Sequence, residues 1–292
     1  LMFGMSERSI IEIAKNMKAG KKGNDIWRNI RGVAYFAHNN EQIPFESVEC
    51  PSYEDVLSDK VAYAKSVKLQ YDQADHVTGK AILQKHGKRI LVQNPPAIPL
   101  TTEEMDKVYA LPYMRTYHPS YEKLGGVPAI KEVQFSIIHN RGCVGACNFC
   151  ALAFHQGRYI SARSHDSVVN EAKQIAKHPD FKGYIHDVGG PTANFRFPSC
   201  KKQEKHGLCT NKRCLFPKSC SQLEADHTDY LSLLRKLREI DGIKKVFVRS
   251  GLRYDYMMAD NNDKFFTELV KHHISGQLKV APEHMSDNAL YY

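Results

Sequence analysis

Long apolar runs are missing from this sequence. No stretch approaches the ~20 residues that cross a bilayer as a helix, so a helical membrane span and a membrane partner are not expected. The first residues lack a basic segment followed by a long apolar one, so no secretory signal is visible and the cytoplasm is the expected compartment. No internal repeat and no low-complexity tract is present. Tryptophan occurs once, at Trp27, and reads as core rather than as a stacking platform. The 15 tyrosines are scattered and mark no base-stacking face.

What is present is ordinary for a soluble globular chain: 292 residues, 42% hydrophobic and 25% charged. That length suits one large domain or two smaller ones and a core that needs no crosslinks. The formal charge is +9. It implies either a solvated basic surface or an anionic partner such as RNA, DNA or a phosphorylated metabolite, and charge by itself does not choose. The eight cysteines are grouped. Cys50 stands alone, Cys143, Cys147 and Cys150 are tight, and Cys200, Cys209, Cys214 and Cys220 form a looser set. Without an oxidising compartment such groups suggest metal or redox chemistry more than disulfides.

Both ends read as cuts. Residues 1–4 look like the end of a buried strand. Ser6 then reads as the N-cap of a helix carrying Ile10, Ile11, Ile13, Ala14 and Met17. The other end closes on a strand pattern at 278–281. The expectation is a fragment of a longer protein.

Residues 18–24 are a polar, glycine-containing hinge. The stretch 25–132 is mixed, with strands expected at 32–36 and 89–93 and a helix at 53–71. Asn94-Pro95-Pro96 forces an extended turn, and residues 102–104 can cap a short helix carrying Met105, Val108 and Tyr109. From residue 133 strands and helices alternate. Val133, Phe135 and Ile137 have strand spacing. Helix 167–177 follows, then strand 184–188, helix 229–240, strand 245–249, helix 264–272 and strand 278–281. That order implies parallel strands with helical crossovers, an α/β class.

The segment carrying chemistry runs Arg141-Gly142-Cys143-Val144-Gly145-Ala146-Cys147-Asn148-Phe149-Cys150, directly after an expected strand. Its spacing is C-x3-C-x2-C. Three thiolates on one short loop can hold three corners of a cubane iron–sulfur cluster, where ordinary clusters use four. One iron is then open to a small molecule. Gly142 and Gly145 permit tight turns, and Arg141 favours thiolate over thiol. The alternatives are a zinc site whose fourth ligand lies elsewhere, or unliganded core cysteines. Zinc sites commonly show two pairs of ligands rather than a single triplet.

This motif, with the aromatic Phe149 before its last cysteine, resembles the signature of the radical S-adenosylmethionine (SAM) superfamily. The resemblance implies a [4Fe–4S] cluster on Cys143, Cys147 and Cys150, with SAM bound through its amino and carboxylate groups to the open iron. It also implies a reductant that supplies one electron, and cleavage of SAM to methionine and a 5′-deoxyadenosyl radical. The segment His186-Asp187-Val188-Gly189-Gly190-Pro191-Thr192 resembles the superfamily's glycine-rich turn, whose backbone contacts the SAM amino group. Pro191 stands where an acidic residue is usual. Residues 157–164 and 279–287 resemble segments of methylthiotransferases and bring in Arg249 and Glu283 as contacts to the SAM carboxylate or ribose. The alternative for Arg249 and Glu283 is a surface ion pair.

Over the whole chain the resemblance is to the YgiQ family of radical SAM proteins. It rests on Gln93-Asn94-Pro95-Pro96, Leu111-Pro112-Tyr113, His155-Gln156-Gly157-Arg158 and Gly189-Gly190-Pro191-Thr192-Ala193-Asn194. It implies a partial (β/α) barrel over 133–292 that lacks its closing strands, a family-specific region over 25–132, and the tail of an earlier domain over 1–24. The substrate and reaction class stay open among methylthiolation, rearrangement, dehydrogenation and methylation.

Cys200-x8-Cys209-x4-Cys214-x5-Cys220 lies in an insertion, 195–225, with six basic residues around the cysteines (Lys201, Lys202, Lys205, Lys212, Arg213, Lys218) against Glu204. Four cysteines suit a second metal site, either zinc or an auxiliary cluster, with His206 and His227 as spare ligands. A loop with unliganded thiols is the other reading. Read as a different class of protein, the chain would be a zinc-dependent, basic nucleic-acid-binding module. Of the remaining histidines, His272-His273 reads as a pair at a helix C-terminus favoured by the helix dipole.

Overall fold

The computed structural model describes residues 1–38, 41–147, 149–278, 280 and 283–291. They divide into two units that interleave along the chain. One comprises residues 1–100, 142–160 and 200–222; the other comprises 101–141, 161–199 and 223–292.

The first unit is built on a four-stranded sheet. Its strands are β1 (Ala34–His38), β2 (Ser47–Cys50), β3 (Ala81–His86) and β4 (Arg89–Gln93), in the order β1-β4-β3-β2. β3 and β4 form an antiparallel hairpin turned by Gly87 at φ 56°, a left-handed conformation that glycine adopts without a Cβ penalty. β1 is antiparallel to β4, and β2 is parallel to β3. Along β1 Tyr35 and Ala37 point inward and pack with Val92 and Trp27, as period-two burial requires and as the core reading of Trp27 expected. Phe36 points outward and carries the Arg89 guanidinium 4.2 Å above its ring.

Three expectations for this unit change. The helix expected at 53–71 is two helices, Tyr53–Ser58 and Lys60–Gln73. Asp59 breaks them, because its carboxylate accepts from the amides of Val61 (2.8 Å) and Ala62 (3.3 Å) and starts the second helix. Residues 1–3 are an exposed extended edge against Val33 and not the end of a buried strand. Ser6 sits at the N-cap of helix Glu7–Lys18 without a capping bond. That helix packs through Ser9, whose hydroxyl donates to the Arg31 carbonyl, and leaves Ile10, Ile11 and Met17 exposed.

Among the described residues the strands of the second unit are β5 (Ser136–Ile138), β6 (Asn140–Arg141), β7 (Ser161–Ala162), β8 (Tyr184–Ile185), β9 (Asp187–Gly189) and β10 (Lys245–Val246). β5 pairs with β9 and β8 with β10, both parallel. β8 and β9 are one extended stretch interrupted at His186, whose amide donates to the Phe135 carbonyl at 3.0 Å. On its other side Phe247 donates to Ile185 (3.0 Å) and Val188 to Phe247 (2.9 Å). The stretch 184–189 is therefore the middle strand of three. β6 and β7 pair antiparallel, a departure from the all-parallel expectation.

Helices His165–Ala176 and Thr228–Arg238 follow the first and second of these three strands. Val168, Ala172 and Ile175 of one, and Leu231, Leu234 and Leu237 of the other, recur at helical spacing and are buried in one core with Ile137, Ile185 and Val188. Ser164 starts the first helix by accepting from the Ser167 amide at 3.1 Å. Val133 is not in a strand: it ends a short helix, Ile130–Val133, so β5 begins later than its spacing suggested. Of the strand expected at 278–281, Val280 forms a parallel bridge to Leu252, while Lys279 and Ala281 lie outside the described residues, as do Pro282 and Tyr292. Among the described residues no helix is long and apolar enough to cross a membrane.

His273 corrects another expectation. It does close the helical segment Leu269–His273, but as a buried ring and not a charged one: its Nδ1–H donates to the Val246 carbonyl at 2.8 Å. Burial pushes its pKa down to about 4, and burial aided by the Arg196 guanidinium pushes that of His139 to about 3. Unfolded histidines take up a proton near ~6.5. Between that pH and the folded values the unfolded chain binds more protons, so stability rises with pH and levels off above about 6.5. We expect stability to fall on acidification from pH ~6.5 towards ~4 by up to about 1.4 kcal/mol per pH unit for each histidine. Denaturant midpoints measured across that range check it, and His139→Gln should reduce the slope. A flat profile would mean that neither ring is held neutral.

Candidate metal centre and glycine turn

Residues 142–160 form the cysteine loop, which belongs to the first unit. Gly142 opens it at φ +83°, and a Cβ there would run into the carbonyl oxygen of Tyr159. The loop ends are tied by the Cys143 amide to the Gly157 carbonyl (3.2 Å) and the Gly142 amide to Gln156 Oε1 (3.2 Å). Val144 and Ala146 are buried and anchor the loop, while all three cysteines are half-buried. Ala146 sits at φ 53°. The Gly145 amide donates to Cys143 Sγ at 3.4 Å, a bond that steadies an electron-rich, metal-bound thiolate. The Cys150 amide donates to the Cys147 carbonyl at 3.1 Å, and helix Leu152–His155 follows. Phe149 is exposed; Asn148 lies outside the described residues.

None of the eight cysteines is in a disulfide. Among the described residues no three His, Cys, Asp or Glu side chains are grouped so that they could hold a metal ion as they stand. The donor set includes three thiols and, among the described residues, the Gly145 amide on Cys143 Sγ, on a loop tied at both ends. That set fits a cubane cluster with one iron left open better than a four-ligand zinc ion.

A Gly142→Ala variant should lose stability and retain several-fold less iron after desalting. A non-glycine residue in the left-handed region costs about 1–3 kcal/mol, before Tyr159 is displaced. Gly157→Ala is the control, because it has φ +82° but open space around the new Cβ. Equal iron retention in the two variants would show that the Tyr159 contact does not shape the loop.

The glycine turn belongs to the second unit and is fixed by residues that the sequence reading overlooked. Gly189 ends β9, and its carbonyl accepts from the His139 amide at 2.9 Å. A Cβ on Gly189 would meet Ser250 Oγ, and one on Gly190 would meet Asn140 Oδ1. Asn140 donates to the Thr192 carbonyl (3.3 Å) and His139 Nε2–H to the Ala193 carbonyl (2.8 Å). His139 Nδ1 faces the Arg196 guanidinium at 3.4 Å, which fits a neutral ring. Thr192 is buried and Pro191 half-buried. The available signal was a polar His139-Asn140 pair closing an apolar strand.

Asp187 organises the next turn by accepting from the amides of Arg249 (2.7 Å) and Ser250 (3.1 Å) and from the Ser250 hydroxyl. The Arg249 guanidinium reaches Glu132 at 3.3 Å near the surface. Glu283 is exposed, at φ 68°. Arg141 lies over the Tyr109 ring at 5.3 Å and donates to its hydroxyl.

The second cysteine set lies in the first unit. Cys200 precedes helix Lys201–His206, and the Cys220 amide donates to the Cys214 carbonyl at 2.8 Å. Burial pushes the Cys214 thiol up; Arg158 pulls it down, and Cys200, Cys220 and Cys209 push it up. His227 is not a spare ligand. Its Nδ1 is 2.7 Å from Asp260 and its Nε2 is 3.0 Å from Asn194 Nδ2, so both nitrogens are committed.

Residues 1–136 match the protein family described as Radical SAM N-terminal. A UPF0313 protein of Clostridium botulinum (strain Kyoto / Type A2) is 57% identical over 290 residues, covering 99% of this chain and 45% of the relative. A UPF0313 protein of Clostridium perfringens (strain SM101 / Type A) is 56% identical over 292 residues, covering 100% of this chain and 44% of the relative. The chain thus spans a little under half the length of these relatives. By the family model over residues 1–136 and these two relatives over almost its whole length, the chain belongs to the radical SAM superfamily, within the UPF0313 family.

Proposed function

We propose that this chain is the cluster-binding part of a radical SAM enzyme. Cys143, Cys147 and Cys150 hold a [4Fe–4S] cluster and leave one iron for SAM. The observation that carries this reading is the donor loop, with its three thiols outside any disulfide and the Gly145 amide on Cys143 Sγ. When bound, the cluster supplies the electron, taken from a reductant, that cleaves SAM to methionine and a 5′-deoxyadenosyl radical. The chain's own part is to bind, orient and shield. Gly189, Gly190, Pro191 and Thr192 offer a backbone edge to the SAM amino group, held open by the absence of side chains beside Asn140 and Ser250. Phe149, exposed beside Cys150, offers an apolar face next to the cofactor. Arg249 and Glu283 take the carboxylate or ribose, with Arg249 exchanging its pair with Glu132 for the ligand.

In the same reading residues 133–292 are a partial (β/α) barrel with an insertion at 195–225. Ligands of parallel α/β folds bind at strand carboxyl ends, where Gly189 and Arg249 lie. The zinc-dependent nucleic-acid-binding reading is the weaker one, because the family match counts against it. The test is anaerobic reconstitution of the full-length protein with iron and sulfide. About four irons per chain at the loop, an EPR signal that shifts with SAM, and reductant-dependent SAM cleavage are expected. A cluster indifferent to SAM would sink the proposal.

A further inference from the structure

The first unit contains a cavity of about 180 Å³, lined in part by the end of the cysteine loop. Its wall is mostly apolar, with Met5, Pro96, Phe154 and Leu208 contributed by four separate segments. A cavity of ~150 Å³ holds a benzene ring, so this one has room for a ring and a small substituent. One polar group on the wall lacks what burial normally demands. Arg158 is 2% exposed, and its Nε has no hydrogen-bond partner among the described residues. Its guanidinium lies 5.3 Å from the centre of the Tyr71 ring, a contact that offers neither an acceptor lone pair nor a full negative charge.

The charges around the cavity leave Arg158 in excess. Asp75 lines the same wall and is ionised, since its hydrogen bonds from Thr78, Leu208 and Val77 hold its pKa below the ordinary carboxylate value. It lies within ion-pair distance of His76 (3.6 Å) and not of Arg158. Burial lowers the pKa of the His76 ring, which is therefore neutral near pH ~7. The guanidinium in the field of Asp75 is Arg31, which donates to the carbonyls of two wall residues, His76 (2.7 Å) and Pro96 (2.9 Å). Glu204, which faces Tyr159, is exposed and screened by water. Cys214 beside Arg158 is a thiol, largely neutral at pH ~7. Two guanidiniums against one buried carboxylate leave a single positive charge at the wall.

We propose that this cavity binds a small monocarboxylate with an apolar body, Arg158 taking the carboxylate and the apolar wall taking the body. A guanidinium suits a carboxylate because its planar donors match the two oxygens. A phosphate ester fits less well, because its charge of about −1.5 to −2 exceeds the one positive charge available. The site is separate from the three cysteines but bears on their loop. Gln156 and Gly157 line the cavity, and they are the residues that tie the loop ends by accepting from the Gly142 and Cys143 amides (3.2 Å each). An occupant packed on that wall steadies both ties, so the carboxylate acts as an effector of the cysteine loop.

The experiment titrates benzoate into the full-length protein, kept free of iron, by calorimetry. Benzamide, its neutral isostere, and phenyl phosphate are run beside it. Saturable binding of benzoate with a Kd of ~1 mM or tighter is expected, and binding about tenfold weaker or worse for the other two. Arg158→Gln removes the charge, and Ala74→Leu fills the cavity from another part of its wall; each should weaken benzoate by about tenfold or more. Arg89→Gln, at a guanidinium over Phe36 outside the cavity, should leave binding unchanged. With benzoate bound, hydrogen exchange at the Gly142 and Cys143 amides should slow several-fold. Absence of saturable benzoate binding to the folded parent overturns the proposal, as does equal affinity for benzamide or tighter binding of phenyl phosphate. These comparisons use the parent alone and stand even if the variants do not fold. A folded Arg158→Gln that binds like the parent also overturns it, and unchanged exchange overturns the effect on the loop. No readout uses iron or SAM, so failure here is distinct from failure of the cluster reading.

Discussion

Alanine at Cys143, Cys147 and Cys150 together is expected to take the iron held at this loop from about four per chain to none, and SAM cleavage to background. The expectation is sharp because the loop separates packing from ligation. Val144 and Ala146 are buried, while the three cysteines are half-buried. Truncating them removes little apolar burial, so the loss of stability should stay within about 1 kcal/mol. The backbone ties from Cys143 to Gly157 and from Cys150 to Cys147 survive the substitution, since both use main-chain atoms. Iron, sulfide and EPR measurements on the variant, with Cys50→Ser alongside, separate a missing cluster from a misfolded protein. A triple variant that keeps a SAM-responsive signal would place the cluster elsewhere.

How far the sequence could be read depended on whether a feature was local. The cysteine triplet was legible because its ligands sit within one loop. The helices over 165–176 and 228–238 were legible because an apolar stripe at helical spacing needs one buried face. β2 alternates, as Ser47-Val48-Glu49-Cys50, but over only four residues and with no side chain fully buried, too short a pattern to read; β3 does not alternate cleanly. β3 carries Gln84, Lys85 and His86 on a half-buried sheet, so its pairing is set by β4 and not by its own pattern. The break at Asp59 was missed because two short helices share one periodic run, and only the capping geometry reveals the join. The partners of the glycine turn were illegible for another reason. His139 and Asn140 lie about fifty residues before it, and only parallel pairing of β5 with β9 brings them to it. His273 was misjudged because a sequence shows a histidine at a helix end but not the Val246 carbonyl beneath it.

Glu171→Ala is expected to destabilise the chain by about 3–5 kcal/mol, a large fraction of the 5–15 kcal/mol typical of a domain. Glu171 is the carboxylate of a buried pair that the sequence did not suggest. It accepts from Arg163, which is 1% exposed, and from Arg115. The Arg163 guanidinium also donates to the Ile138 carbonyl (2.9 Å) and to the Ser167 carbonyl and hydroxyl, and lies 4.2 Å above the Tyr109 ring. Those neighbours satisfy its hydrogen bonds but none carries a negative charge, so removing Glu171 leaves a cation buried without its counter-ion. Glu171→Gln keeps the acceptor oxygen and should cost less, about 1–3 kcal/mol. The double variant Arg163→Met, Glu171→Leu should recover much of the loss, because a buried ion pair is often no better than well-packed apolar side chains. The effect should reach the glycine turn. The Arg163 amide donates to the His139 carbonyl at 2.9 Å, and His139 in turn holds Gly189 and Ala193. Denaturant titrations of the three variants test this order, alanine most destabilised and the double variant least. A loss below about 1 kcal/mol in Glu171→Ala would mean that Ser167, Ile138 and Tyr109 hold the guanidinium without the carboxylate.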